Sequence, residues 1–134
     1  MNAIETQVLE LKTTEDVVRM RQAVRQHSVS LGFSLVDQTK LVTAASELGR
    51  NTIIHGGGGE MKIEPLLETN RRGLSLTFSD KGKGIPDVEL ALKDGYTTGS
   101  GMGLGLGGAK RLSSEFHIQS KPGEGTRITI KRWR

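Results

Sequence analysis

The 134-residue sequence predicts an α+β fold, a two-layer α/β sandwich in which a mostly antiparallel sheet carries helices on one face. Three observations predict it. Apolar periods of two and of 3.6 succeed one another in the order βααββααββ. The second and third strands, and again the last two, are separated only by short turns, so each pair closes as an antiparallel hairpin. Each long helical stretch carries a single apolar stripe, which buries against one surface only.

Ile4 to Leu11 alternates β-favourable residues and opens the chain as a strand. At Thr13-Thr14-Glu15-Asp16 a hydroxyl cap and early acids start a helix. Its Val17, Met20, Val24 and Leu31 share one face, Gly32 ends it, and His27 is expected on its surface. A second helix begins at Ser34 to Asp37 and runs to about Ile54, with Leu41, Ala44, Ala45 and Leu48 as its buried stripe. The glycine run Gly56 to Gly59 stops it. Met61 to Leu67 and Leu74 to Ser79 follow as a hairpin turning at Asn70-Arg71-Arg72-Gly73. Pro86 opens a short helix through Val88, Leu90 and Leu92, which ends at Asp94-Gly95. After a Gly/Thr/Ser segment, a helix from Gly105 carries Leu106, Ala109 and Leu112. Strands Glu115 to Ser120 and Thr126 to Lys131, joined by the turn Lys121 to Gly125, complete the order. No repeat or linker divides the chain, so residues 1–134 are expected to form one domain.

Composition narrows the chemistry. With no cysteine and three scattered histidines, the chain offers neither thiolate chemistry nor a zinc pattern. No stretch approaches the roughly 18 apolar residues of a membrane span, and the start Met1-Asn2-Ala3-Ile4-Glu5 is unlike a secretion signal, so a cytoplasmic protein is expected. A net charge of +4 is spread along the chain without a stripe of stacking aromatics, which argues against nucleic acid. Eighteen glycines, gathered in four runs, are what remains to be explained.

Four short segments are candidates for carrying chemistry. Glu47 and Asn51, four apart near the end of the second helix, project from one side; the amide oxygen suits Mg²⁺ and the carboxylate suits a proton, although a solvated polar face closing a helix has the same pattern. Asp80-Lys81-Gly82-Lys83-Gly84 follows a strand end, where a carboxylate beside two glycines reads the amino group of a flat ligand or simply makes a turn. Gly99-Ser100-Gly101-Met102-Gly103-Leu104-Gly105-Leu106-Gly107-Gly108 opens onto a helix and suits a polyphosphate. No strand precedes it and Lys110 follows Ala109, so neither a dinucleotide fingerprint nor a P-loop is present. Gly123-Glu124-Gly125-Thr126 is a hairpin turn whose threonine is able to share a cleft with Asp80.

In this order the four segments resemble the N, G1, G2 and G3 boxes of the GHKL (Bergerat-fold) ATPase and kinase superfamily, from about Ser34 to Thr126. The resemblance implies ATP and Mg²⁺ as cofactors, with Asn51 as the metal ligand and Asp80 on the adenine amino group. It implies further that Gly82, Gly84 and Thr126 complete the base pocket, that Gly101, Gly103 and Gly105 hold the phosphates, and that a lid lies between Asp94 and Gly103. Glu47 becomes the catalytic residue that orients or deprotonates the nucleophile.

A unit this short has no place for a dimerising helical pair, which points toward small kinases acting on STAS-domain partners. Ser46-Glu47-Leu48-Gly49-Arg50-Asn51, Asp94-Gly95-Tyr96-Thr97-Thr98-Gly99, Lys110-Arg111-Leu112 and the ending Ile130-Lys131-Arg132-Trp133 look like the RsbT-type switch kinases. That likeness implies a serine/threonine kinase that phosphorylates STAS-domain scaffolds of a stressosome-like complex. It then binds and activates a PP2C-type phosphatase or another output protein. The alternatives are an anti-sigma factor with serine kinase activity, as in the RsbW and SpoIIAB group, and a non-catalytic nucleotide-dependent adaptor, against which intact Glu47 and Asn51 argue. The Gly56 to Gly59 run and Leu104 depart from the RsbT pattern. Arg50, about 100° around the helix from Asn51, is expected in a salt bridge or a partner contact, and Trp133 either at a partner surface or capping the core.

Overall fold

Residues 5–85, 87–92 and 106–134 are described by a computed structural model. Nine elements follow the expected order: β1 (Gln7–Leu11), α1 (Thr14–Ser30), α2 (Leu35–Ile54), β2 (Gly59–Leu67), β3 (Arg72–Asp80), α3 (Val88–Ala91), α4 (Leu106–Arg111), β4 (Glu115–Lys121) and β5 (Gly125–Trp133). The strands form one antiparallel sheet in the order β1-β2-β3-β5-β4.

Local chemistry sets the helix ends. Thr13 and Asp16 form a reciprocal capping box at the start of α1, and Ser34 accepts the Asp37 amide at the start of α2. After Leu31, Gly32 turns the chain at φ +82°, a conformation that a side chain resists. Met20 and Val24 of α1 and Leu31 just after it meet Leu41, Ala44, Ala45 and Leu48 of α2 over Met61, Ile63, Leu74, Leu76, Phe78, Ile128 and Ile130 of the sheet, all of them buried. Helices thus cover one face, as the single stripes require. Arg132, on this inner face, donates to Asp37 at 2.8 Å and to the Leu112 carbonyl at 2.6 Å, tying the start of α2 to the end of α4. Its guanidinium holds the Asp37 carboxyl below the usual carboxylate range.

Three expectations change. The β2–β3 turn lies two residues earlier than Asn70 to Gly73: the Glu68 amide donates to the Arg71 carbonyl at 2.9 Å, and Arg72 and Gly73 already belong to β3. His27 is not on the helix surface but 1% exposed, with Nε2 3.2 Å from Gln7 Oε1. Its position completes the spacing Met20, Val24, His27, Leu31, so α1 buries it with its apolar neighbours. Trp133 does not cap the core; it pairs with Gly73 on the open face, lies under the Arg71 guanidinium 3.5 Å from the ring centroid, and donates its indole N–H to Glu115. The expected lid, with Gly101, Gly103 and Gly105, lies outside the described residues.

Candidate functional site

Strand register builds one side of the site. Thr126 is the direct partner of Asp80 on β3 and of Ser120 on β4, so the three residues form one row across neighbouring strands. Paired residues point to the same face, and the row continues the buried pair Phe78↔Ile128 and the half-buried Ile118↔Ile128 by one step of two. Three polar side chains therefore rim the inner face at the end of the sheet. An open cleft of about 1440 Å³ wraps this end, from Glu10 and Glu60 on the outer face to Asp80, Ser120 and Thr126 on the inner.

Glycines give the row its closeness. Asp80 Oδ1 accepts the Gly82 amide at 2.9 Å, while Oδ2 has no partner among the described residues. A Cβ on Gly56 would fall on the Asp80 carboxylate, and one on Gly82 would lie 2.8 Å from the Gly56 Cα. Gly84, at φ +79°, runs against the Lys121 carbonyl, and Gly123 donates to the Lys83 carbonyl at 2.7 Å, which locks the loop after β3 to the β4–β5 turn. The sequence had singled out Asp80, Gly82, Gly84 and Thr126 as candidates. It missed Ser120, although a turn over Lys121 to Gly125 already sets Ser120 opposite Thr126.

The C-terminal turns of α2 carry the other candidate residues and join the sheet end through Gly56. Asn51 is 6% exposed, and its Oδ1 is buried without a hydrogen-bond partner among the described residues. An unpaired buried oxygen costs stability, and a cation or a hydrogen-bond donor would satisfy it. The Asn51 carbonyl accepts the Gly56 amide at 3.2 Å, which joins this helix end to the glycine packed against Asp80. Glu47, one turn earlier and 40% exposed in its side chain, pairs with Arg50 at 2.5 Å. The expected salt bridge of Arg50 is thus with the candidate base itself. At the helix cap, burial first and then the Lys83 charge hold the His55 imidazole below its ordinary value. No cluster of three His, Cys, Asp or Glu side chains able to hold a metal ion occurs among the described residues.

Residues 36–133 match the family of histidine kinase-, DNA gyrase B- and HSP90-like ATPases. The chain is 42% identical to the serine/threonine-protein kinase RsbT of Bacillus subtilis, over 92% of each chain. It is 31% identical to the anti-sigma F factor of Bacillus licheniformis, over 98% of this chain and 92% of that one. Among solved structures, a Mycobacterium tuberculosis protein with RsbU and RsbW domains superposes with a TM-score of 0.66 at 21% identity, covering 96% of this chain and 33% of that one. The catalytic domain of the histidine kinase ThkA superposes at 0.53 with 15% identity, covering 96% and 95%. These two likenesses concern the fold.

Proposed function

This chain belongs to the histidine kinase-, DNA gyrase B- and HSP90-like ATPase family, and from that premise we propose that it is a Mg²⁺-dependent switch kinase acting on serine or threonine of STAS-domain proteins. It is a serine/threonine-protein kinase with an ATP-binding domain. The observation that carries the reading is an Asn51 oxygen buried without a partner among the described residues, on a helix end tied through Gly56 to Asp80.

In this reading Asp80 accepts the adenine amino group, and Gly82 and Gly84 leave room for the base beside Thr126. The amides of Gly101, Gly103 and Gly105 hold the phosphates. The lone Asn51 oxygen is a hard, neutral donor of the kind Mg²⁺ prefers, so the residues present fit the ion. What a bound Mg²⁺ supplies there is neutralisation of charge on the β- and γ-phosphates. Glu47 takes the proton of the acceptor hydroxyl as its oxygen bonds to the γ-phosphorus and ADP departs. Released from its STAS partner, the kinase binds and activates a PP2C-type phosphatase or another output protein in the cytoplasm. No helix among the described residues is long and apolar enough to cross a membrane.

Incubation with Mg-ATP and a purified STAS-domain protein, followed by mass spectrometry, is expected to place a stable phosphate on serine or threonine. Asn51→Ala abolishes it by removing Mg-ATP binding, and Glu47→Gln slows it by about 10²–10⁴-fold while ATP still binds. Likeness to anti-sigma F factors favours one second reading, sequestration of a sigma factor. Tight capture of a sigma factor with no phosphate on the STAS protein selects it.

A further inference from the structure

Ser120 lies on β4 at the edge of the sheet, and its hydroxyl has three neighbours. It accepts the Ile85 amide at 2.8 Å, stands 3.2 Å from the Gly125 carbonyl and lies 2.8 Å from the Thr126 hydroxyl. A serine hydroxyl has one proton and two lone pairs. The Ile85 amide can only donate and the Gly125 carbonyl can only accept, so these two fix the polarity of the group. With the Ser120 proton on Gly125, both lone pairs are filled, one by Ile85 N–H and the other by the Thr126 O–H. All three contacts are then hydrogen bonds. Turning the Ser120 proton toward Thr126 instead forfeits the bond to Gly125.

We propose that Ser120 is a positioning residue that draws the Thr126 proton out of the base pocket, so that Asp80 and Thr126 together present acceptors alone and favour a 6-amino over a 6-oxo purine. The inference rests on the reading of Asp80 and Thr126 as the base pocket, and deepens it. With its proton committed to Ser120, Thr126 has only lone pairs left for the cleft it lines, in register with Asp80, whose Oδ2 has no partner among the described residues. An amino group donates to either acceptor. A 6-oxo group donates to neither and sets its own lone pairs against both, and a site whose polar groups are left unpaired rejects such a ligand. Asp80 opposes a 6-oxo group by itself; Ser120 withdraws the proton of the hydroxyl in register with it.

The test compares affinities for ATP and inosine triphosphate, which differ at position 6 and in the N1 proton it entails but not at position 2. Wild type is expected to prefer ATP. Ser120→Ala frees the Thr126 proton to serve a 6-oxo group, and the ATP-to-inosine-triphosphate affinity ratio falls about tenfold, the scale of one hydrogen bond. Ser120→Thr keeps a hydroxyl in place and restores the ratio. Should Ser120→Ala fail to fold, Ser120→Cys, with a weak donor and acceptor, lowers the ratio in its place. Equal loss of affinity for both nucleotides, an unchanged ratio, or a wild type indifferent to the two overturns the proposal. Asp80→Asn separates the two levels: if it too leaves the ratio untouched, the base pocket itself is misplaced, whereas a ratio altered by Asp80→Asn and not by Ser120→Ala overturns only the role of Ser120.

Discussion

The two parts of the candidate site are made differently. At the end of the sheet, Asp80, Thr126 and Ser120 are placed by main-chain register, and the glycines around them let backbone pack on backbone. On α2, Glu47 and Asn51 depend on helical spacing alone; one is ion-paired and half exposed, the other buried and unpartnered. Recognition is thus a property of the backbone, and fold and binding stand or fall together there. Chemistry is a property of side chains that the fold does not need.

Three substitutions or titrations break or sharpen this contrast. The largest effect is expected at Gly125, where φ is +87° and a Cβ would press on the backbone of Asp80 and Lys81. Gly125→Ala should cost about 3 kcal/mol of stability, together with ATP affinity. A urea midpoint equal to wild type would erase the distinction between the two parts. Next comes Asn51→Leu, close to isosteric, which removes a buried acceptor that has no partner. Stability should rise by about 1 kcal/mol while Mg-ATP binding is lost, a divergence that calorimetry and nucleotide titration read separately. A large loss of stability would place Asn51 among the structural groups.

The smallest effect belongs to His27, whose Nδ1 is also buried without a partner but lies against β1 and away from the cleft. Burial holds its imidazole below the ordinary 6.5, so the unfolded chain takes up the proton first. Stability from this group is complete above about pH 6.5 and is lost as pH falls through that value toward the folded pKa. His27→Gln should flatten this limb of the pH–stability curve; an unchanged slope assigns it to His55, which burial and Lys83 shift the same way.

The element order was legible because the strongest signals are local. Thr13 and Ser34 cap, Gly32 stops, and Leu41, Ala44, Ala45 and Leu48 mark a face whatever lies opposite. His27 was not legible as a core residue, since a polar ring at an apolar position only declares itself once β1 supplies Gln7 against it. Asp80, Gly82, Gly84 and Thr126 stood out by spacing, yet spacing says nothing of Gly56 packing on Asp80, a contact between loops 24 residues apart in sequence. Ser120 was hidden for another reason: a lone serine in a strand acquires meaning only from the register that sets it beside Thr126.

Trp133, the chain's one tryptophan, is the partner of Gly73, seven residues along β3 from Asp80 and so roughly 20 Å from the cleft. Held between Arg71 and Glu115, its indole emission will report the integrity of the β3–β5–β4 corner and stay silent when nucleotide arrives. The protein therefore carries an internal optical gauge of folding set apart from the site, and occupancy by unlabelled nucleotide can be followed on the same sample by titration calorimetry.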